Sequence, residues 1–179
     1  RVYLIASSSK MVVGGILNSL HDDGLLDLDA PIANIVSWGN LRPTITPAQL
    51  ISNSSGLPGL YTQTNSNKYV CQYHTTANLQ TCAETIFTAS AEPGEYILPP
   101  DTYYRYGGGQ WQVAGAIAEI ASNKPWDELF DEIYVTPCGL QNSGFTNQFQ
   151  FWPFSNYPTA FNSNPSQLLA TNNPFIGGG

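Results

Sequence analysis

Ser7 and Lys10 stand three residues apart in Ala6-Ser7-Ser8-Ser9-Lys10, directly before the apolar run Met11-Val12-Val13-Gly14-Gly15-Ile16-Leu17. At that spacing on a helix both side chains share a face, which brings the amine within hydrogen-bond reach of the hydroxyl. A serine hydroxyl is a weak nucleophile near neutral pH and needs a neighbour to take its proton. A lysine can serve, because burial among apolar residues disfavours its charged form. The S-x-x-K pattern selects Ser7, and not Ser8 or Ser9, as the candidate nucleophile. The same residues also suit a plain helix start followed by a solvated lysine, so support has to come from the rest of the chain.

The elements that would hold these groups are legible from periodicity and punctuation. Apolar residues at 12, 13, 16, 17 and 20 form a helical stripe ending at Asp22-Asp23-Gly24. That helix places Ser7 at its N-terminal end, where free amides and the helix dipole favour developing negative charge. Leu25 to Pro31 reads as a turn and a short extended piece. Thr46-Pro47-Ala48-Gln49 is a helix start with a threonine cap, proline in the first turn and glutamine at the capping-box position. Tyr61 to Tyr73 lacks periodicity and reads as a surface loop, whereas Ala77 to Phe87 reads as helix. Tyr103-Tyr104-Arg105-Tyr106-Gly107-Gly108-Gly109 leads into a helix with a stripe of Val113, Ala114, Ile117, Ile120 and Ala121. An amphipathic helix follows from Pro125, with Trp126, Leu129, Phe130 and Ile133 on one side. Beyond Leu140 the chain reads as a long loop containing Phe149, Phe151, Trp152, Phe154 and Tyr157, expected to pack rather than to line a cleft.

Composition narrows the partners. The 179 residues carry a net charge of −7 with only six Lys+Arg and no basic run, which argues against nucleic acid and against an anionic membrane surface. The neutral-polar, low-charge composition suits a secreted protein. Cys71 and Cys82 bracket a polar segment, and a disulfide closing it would imply an oxidising compartment; two reduced thiols are the alternative. Cys138 is left over and is expected to be a small buried hydrophobe. No cofactor is called for and metal binding is not expected, since His21 and His74 have no ligand at a zinc-like spacing. Asp22, Asp23, Asp27 and Asp29 do not match a calcium loop and read as turn and cap residues. The 107–109 glycine run lacks the lysine of a phosphate-binding loop and reads as a turn that lets backbone approach a substrate. Asn53-Ser54-Ser55 fits the glycosylation sequon.

Taken in order, these landmarks resemble the serine β-lactamase and penicillin-binding-protein superfamily, nearest to the class C β-lactamases and their esterase and peptidase relatives. Ala6-Ser7-Ser8-Ser9-Lys10 matches the first motif. Leu25-Leu26-Asp27-Leu28-Asp29-Ala30-Pro31 resembles the family's "G-x-L-x-L-D-x-P", and Ile45 to Pro58 its "I-T-x-x-x-L-L-x-H-x-S-G-L-P". Pro93-Gly94-Glu95 and Tyr106 to Gly115 resemble "P-G … Y-S-N-x-G-Y-x-L-L-G", and Pro137-Cys138-Gly139-Leu140 resembles "P-L-G-M".

The resemblance implies an α+β, β-lactamase-like fold and a serine hydrolase that acts through an acyl-enzyme on an ester, amide or peptide. Ser7 would be acylated, Lys10 would help take its proton, and Tyr106 would be the second-motif tyrosine acting as general base. The bland reading of Tyr106 is one more packed aromatic beside Tyr103, Tyr104 and Trp111. Gly108 stands where the family has asparagine, so a substrate-contacting amide is missing, which favours esterase or peptidase over lactamase activity. No third-motif strand follows, and no strands precede Ser7. Residues 1–179 are therefore expected to be one partial domain that holds the helical region and lacks most of the antiparallel sheet, with the rest of the same polypeptide as its partner. The rival reading is a non-catalytic binding or self-assembling protein on the same fold.

Overall fold

Among the described residues, a helix buried through most of its length lies at the centre of the packing. The computed structural model describes residues 5–59, 70–74, 77–89, 96–141, 143–145 and 171–178. Phe149, Phe151, Trp152, Phe154 and Tyr157, the Pro93-Gly94-Glu95 turn and most of the 61–73 loop lie outside the described residues. The described chain is helical: α1 is Ser9–Asp22, α2 Pro47–Ile51, α3 Leu79–Thr88, α4 Gly108–Ser122, α5 Trp126–Phe130 and α6 Thr136–Cys138. Short 3-10 turns occupy Ala6–Ser8, Ile32–Asn34, Ser37–Leu41 and Val70–Tyr73, and a π-helical turn covers Asp131–Val135 between α5 and α6. No β-strand occurs among the described residues.

Helix α4 packs against α1, α2 and α3. Every residue from Gly108 to Ala118 is buried, so the expected one-sided stripe is a helix covered on all sides. The difference has a specific cause. The polar residues Gln110 and Gln112 are also buried, at 1% and 0% exposure, and each is saturated by hydrogen bonds rather than by water. Gln110 accepts from Ser55 Oγ at 2.7 Å and donates to Asn53 Oδ1 at 2.9 Å and the Arg105 carbonyl at 2.6 Å. Gln112 donates to Asn173 Oδ1 at 2.9 Å and the Pro174 carbonyl at 2.8 Å, and accepts from the Ile176 amide at 3.1 Å.

Local signals set the other boundaries. The buried face of α1 is Ser9, Val13, Ile16, Leu17 and Leu20, close to the stripe read from the sequence. Thr46 and Gln49 form the expected capping box: the Gln49 amide donates to Thr46 Oγ1 at 3.3 Å and the Thr46 amide to Gln49 Oε1 at 3.0 Å. Helix α3 is capped by Asn78, whose Oδ1 accepts from the Gln80 and Thr81 amides. Cys71 and Cys82 are disulfide-bonded, which ties the Val70–Tyr73 turn to α3. Cys138 departs from expectation and is exposed, because α6 ends at Gly139 on the outside of the molecule.

The residues of the sequon are interior. Asn53 is 6% exposed, and its Oδ1 accepts from both Gln110 Nε2 and Trp111 Nε1, each at 2.9 Å. A glycan therefore has no room at Asn53 in the folded chain. Asn53 also adopts a left-handed backbone at φ 61°, a conformation that asparagine tolerates better than most residues. Its side chain is the acceptor that lets a tryptophan N–H be buried in α4. Asn53→Ala is expected to lower stability by about 1–3 kcal/mol, chiefly by stranding the Trp111 N–H. Asn53→Gly relieves the backbone yet loses the same acceptor, so urea unfolding should find it destabilised too; a Gly variant as stable as the parent would refute the acceptor role.

Candidate active site

Ser7 lies in the 3-10 turn Ala6–Ser8 that runs into α1, and it is exposed. The residue before it, Ala6, has φ 46°, a left-handed conformation that costs a side-chain-bearing residue about 1–2 kcal/mol. Backbone strain of this kind collects where a side chain must be aimed. The neighbouring serines differ in their surroundings. Ser9 is buried with its hydroxyl toward the Ile176 carbonyl at 3.5 Å, whereas Ser7 Oγ meets both Lys10 and Tyr106.

Lys10 sits one helical turn on, half-buried. Its Nζ donates to Ser7 Oγ at 3.2 Å, to Tyr106 Oη at 3.3 Å and to the Gly177 carbonyl. It also lies 4.7 Å from the Tyr106 ring centroid and 5.7 Å from that of Trp111. Three hydrogens thus have three oxygen acceptors, the full complement of an ammonium. Desolvation by burial lowers the Lys10 pKa below its ordinary value, and the hydrogen bond and charge of Tyr106 work against that fall.

Tyr106 is delivered by the segment 96–106, which runs beside residues 53–59. The Leu98 amide donates to the Gly56 carbonyl at 3.1 Å and the Arg105 amide to the Asn53 carbonyl at 2.8 Å. Arg105 Nη1 reaches the Gly56 and Tyr96 carbonyls. The approach requires glycine at 56: its φ is +78°, and a Cβ there would stand 1.9 Å from the Leu98 carbonyl oxygen. The Ser54-Ser55-Gly56-Leu57-Pro58 stretch singled out in the sequence is thus the backing on which Tyr106 is laid. Burial raises the Tyr106 pKa, but the hydrogen bond with Ser7 and the charge and hydrogen bond of Lys10 outweigh it, and the phenol sits below its ordinary value.

Ser7, Lys10 and Tyr106 thus form one mutually bonded cluster, though the tyrosine is 99 residues from the serine in sequence. Gly108 is not on its exposed side. It is the first residue of α4, buried against Gln72 and Phe175. The Cys71–Cys82 disulfide lies behind it, on the turn that carries Gln72. Two contributors were missed in the sequence. The Gly177 carbonyl is a backbone atom, invisible to residue type. Gln112, which holds residues 173–176 in place, could have been found as a polar residue inside an apolar helix. Among the described residues no three His, Cys, Asp or Glu side chains gather into a metal-binding group. A cavity of about 710 Å³ is lined by residues such as Glu119, Trp126 and Thr171, none of them a member of the Ser7 cluster.

A family model described as beta-lactamase matches residues 1–153. Penicillin-binding protein 4 of Amycolatopsis lactamdurans is 26% identical over 147 residues, covering 79% of this chain and 35% of that protein. Among solved structures, EstCE1, described as a hydrolase with promiscuous acyltransferase activity, superposes with a TM-score of 0.66 at 21% identity, over 80% of this chain and 39% of its own. A β-lactamase/D-alanine carboxypeptidase from Yersinia pestis gives 0.65 at 20% identity, over 98% of this chain and 48% of its own. The structural likenesses establish a β-lactamase-like fold, and the chain spans less than half the length of each of these proteins.

The cluster makes a prediction that needs no substrate. Replacing Lys10 by methionine removes the charge and donor that favour the Tyr106 phenolate, while the burial that opposes it stays. Tyr106 should then ionise at higher pH than in the parent, read as phenolate absorbance and assigned by its loss in Tyr106→Phe. An unchanged titration would show that Lys10 does not set the state of Tyr106.

Proposed function

Because the chain belongs to the beta-lactamase family, we propose that it is a serine hydrolase working through an acyl-enzyme on an ester or amide carbonyl. The observation that carries this reading is the mutual bonding of Ser7, Lys10 and Tyr106 at the start of α1. Ser7 is the nucleophile, Tyr106 the base, and Lys10 the cation that keeps Tyr106 poised. The division between the last two follows from the acceptors around Lys10. An ammonium uses all three; a neutral amine has only two hydrogens to donate and a lone pair that a carbonyl such as Gly177's repels.

In acylation the Ser7 Oγ–H proton passes to Tyr106 Oη as Oγ bonds to the substrate carbonyl carbon, and the carbonyl π electrons move to oxygen. The oxyanion forms beside the first turn of α1, where amides without intrahelical acceptors and the helix dipole favour negative charge. Collapse of this intermediate breaks the bond to the leaving group, which departs with the proton held by Tyr106. In deacylation Tyr106 takes a proton from water, the hydroxide adds to the acyl carbon, and Ser7 leaves with that proton restored. Lys10 stays charged throughout and offsets the change at Tyr106.

The Cys71–Cys82 bond supports an oxidising, extracellular setting.

The test is covalent. A fluorophosphonate probe should modify Ser7, identified by peptide mass spectrometry, and Ser7→Ala should abolish it. Tyr106→Phe should slow modification by about 100- to 10,000-fold, the usual range for loss of a general base. The reaction requires the deprotonated phenol, so its rate should climb with pH and level off below tyrosine's ordinary value of about 10. Failure of Ser7 to react in the folded protein would overturn the hydrolase reading and leave a binding scaffold in its place.

A further inference from the structure

Gly108 opens α4 two residues after Tyr106, and the space its missing side chain leaves is taken by another residue. A Cβ at 108 would stand 2.5 Å from Gln72 Oε1 and 3.2 Å from the Phe175 ring. Both distances are shorter than ordinary van der Waals contact, so the volume is filled. Gln72 is 0% exposed and cannot reach a substrate from there. It comes from the Val70–Tyr73 turn, which three independent ties hold in place. The Cys71–Cys82 disulfide joins the turn to α3. Asn173 Nδ2 donates to the Cys71 and His74 carbonyls, both at 2.8 Å. The Tyr73 ring lies 5.1 Å from the Phe175 ring.

The same packing reaches the lysine. Gly177 presses on Gly108 so closely that a Cβ at 177 would lie 2.9 Å from the Gly108 Cα. The Gly177 carbonyl is one of the three acceptors of Lys10. Residues 72, 175 and 177 therefore converge on position 108, and the Gly177 carbonyl links that packing to the reacting cluster. Residues 173–176 are held from α4 by Gln112, and Gln72 fills the space beside the Phe175 ring at the first residue of α4. A carbonyl held on both sides offers Lys10 a fixed acceptor; one held on a single side does not.

We propose that Gln72 is a positioning residue: its buried side chain occupies the volume a side chain at position 108 would take, and this wedge fixes the 175–177 backbone so that the Gly177 carbonyl meets Lys10. The inference rests on the reading of Lys10 and Tyr106 as the proton-handling pair and adds to it a complementary large-and-small pair at 72 and 108. Gln72→Ala opens a void behind the carbonyl. Gly108→Asn, which puts an amide on a shorter arm in the same volume, overfills it. Joined in one chain, the two changes restore the volume and should correct each other.

Two readouts on the purified protein test this: the pH at which Tyr106 ionises, and the rate of Ser7 modification by the fluorophosphonate. Gln72→Ala and Gly108→Asn should each raise the pH of Tyr106 ionisation and slow modification by about 10- to 100-fold, as expected when a catalytic group is displaced by a fraction of an ångström to an ångström. The double variant should lie closer to the parent than either single variant in both readouts. Gln72→Met keeps the volume and should retain most of the parent's behaviour, so it carries the test if Gly108→Asn does not fold. Singles indistinguishable from the parent, additive losses in the double variant, or Gln72→Met as impaired as Gln72→Ala would each overturn the proposal. Tyr106 ionisation is read without a probe. A parent whose Ser7 does not react therefore refutes the hydrolase reading alone, and the wedge is still decided by the titrations.

Discussion

A half-buried ammonium must find oxygen acceptors or give up its proton, and Lys10 finds three. Removing a cation from water is costly, and hydrogen bonds to its charged form are what offset that cost. The three acceptors come from three parts of the chain: Ser7 from the turn before α1, Tyr106 from the segment preceding α4, and the Gly177 carbonyl from residues 171–178. The segments that carry Tyr106 and Gly177 are positioned by hydrogen bonds and packing outside the cluster itself. The interior exists, in that sense, to bring oxygens to one nitrogen.

Helix α4 organises that convergence. Its first residue closes on Gln72 and Gly177, its third ties down Asn53, Ser55 and Arg105, and its fifth ties down residues 173–176. Gln110 and Gln112 thus act as paired clamps, one for the backing of Tyr106 and one for the backing of Gly177. A helix with leucine at both positions would bury more apolar area and would hold neither flanking segment in register. Fully satisfied polar groups in a core trade some hydrophobic gain for a unique arrangement.

What could be read from the sequence was what depends on short spacing. Ser7 and Lys10 share a face because residues three apart on a helix do, and the Thr46–Gln49 capping box closes over the same interval. The α1 stripe was legible for the same reason. Tyr106 had no local signature among its neighbouring tyrosines and was singled out by its resemblance to a family motif. Cys138 was expected inside on the strength of residue type alone, but its exposure is decided by where α6 ends. The sequon at Asn53 is a local pattern with a tertiary answer, since the asparagine is consumed by Gln110 and Trp111. The Gly177 carbonyl was beyond reach, because a backbone oxygen carries no residue identity and its partner lies 167 residues away.

That separation bears on the order in which the chain matures. Closing a contact over 167 residues is among the last events open to a folding chain, because the long loop must be drawn in before any reward is collected. Until then Lys10 sits beside Ser7 as a hydrated cation with water for its acceptors, and Tyr106 lacks the desolvated charge that lowers its pKa. Before that contact closes, Ser7 carries an ordinary hydroxyl. Under the proposed chemistry the reactive hydroxyl is armed only once residues 171–178 have packed, so nucleophilicity reports the closure of this one long-range contact.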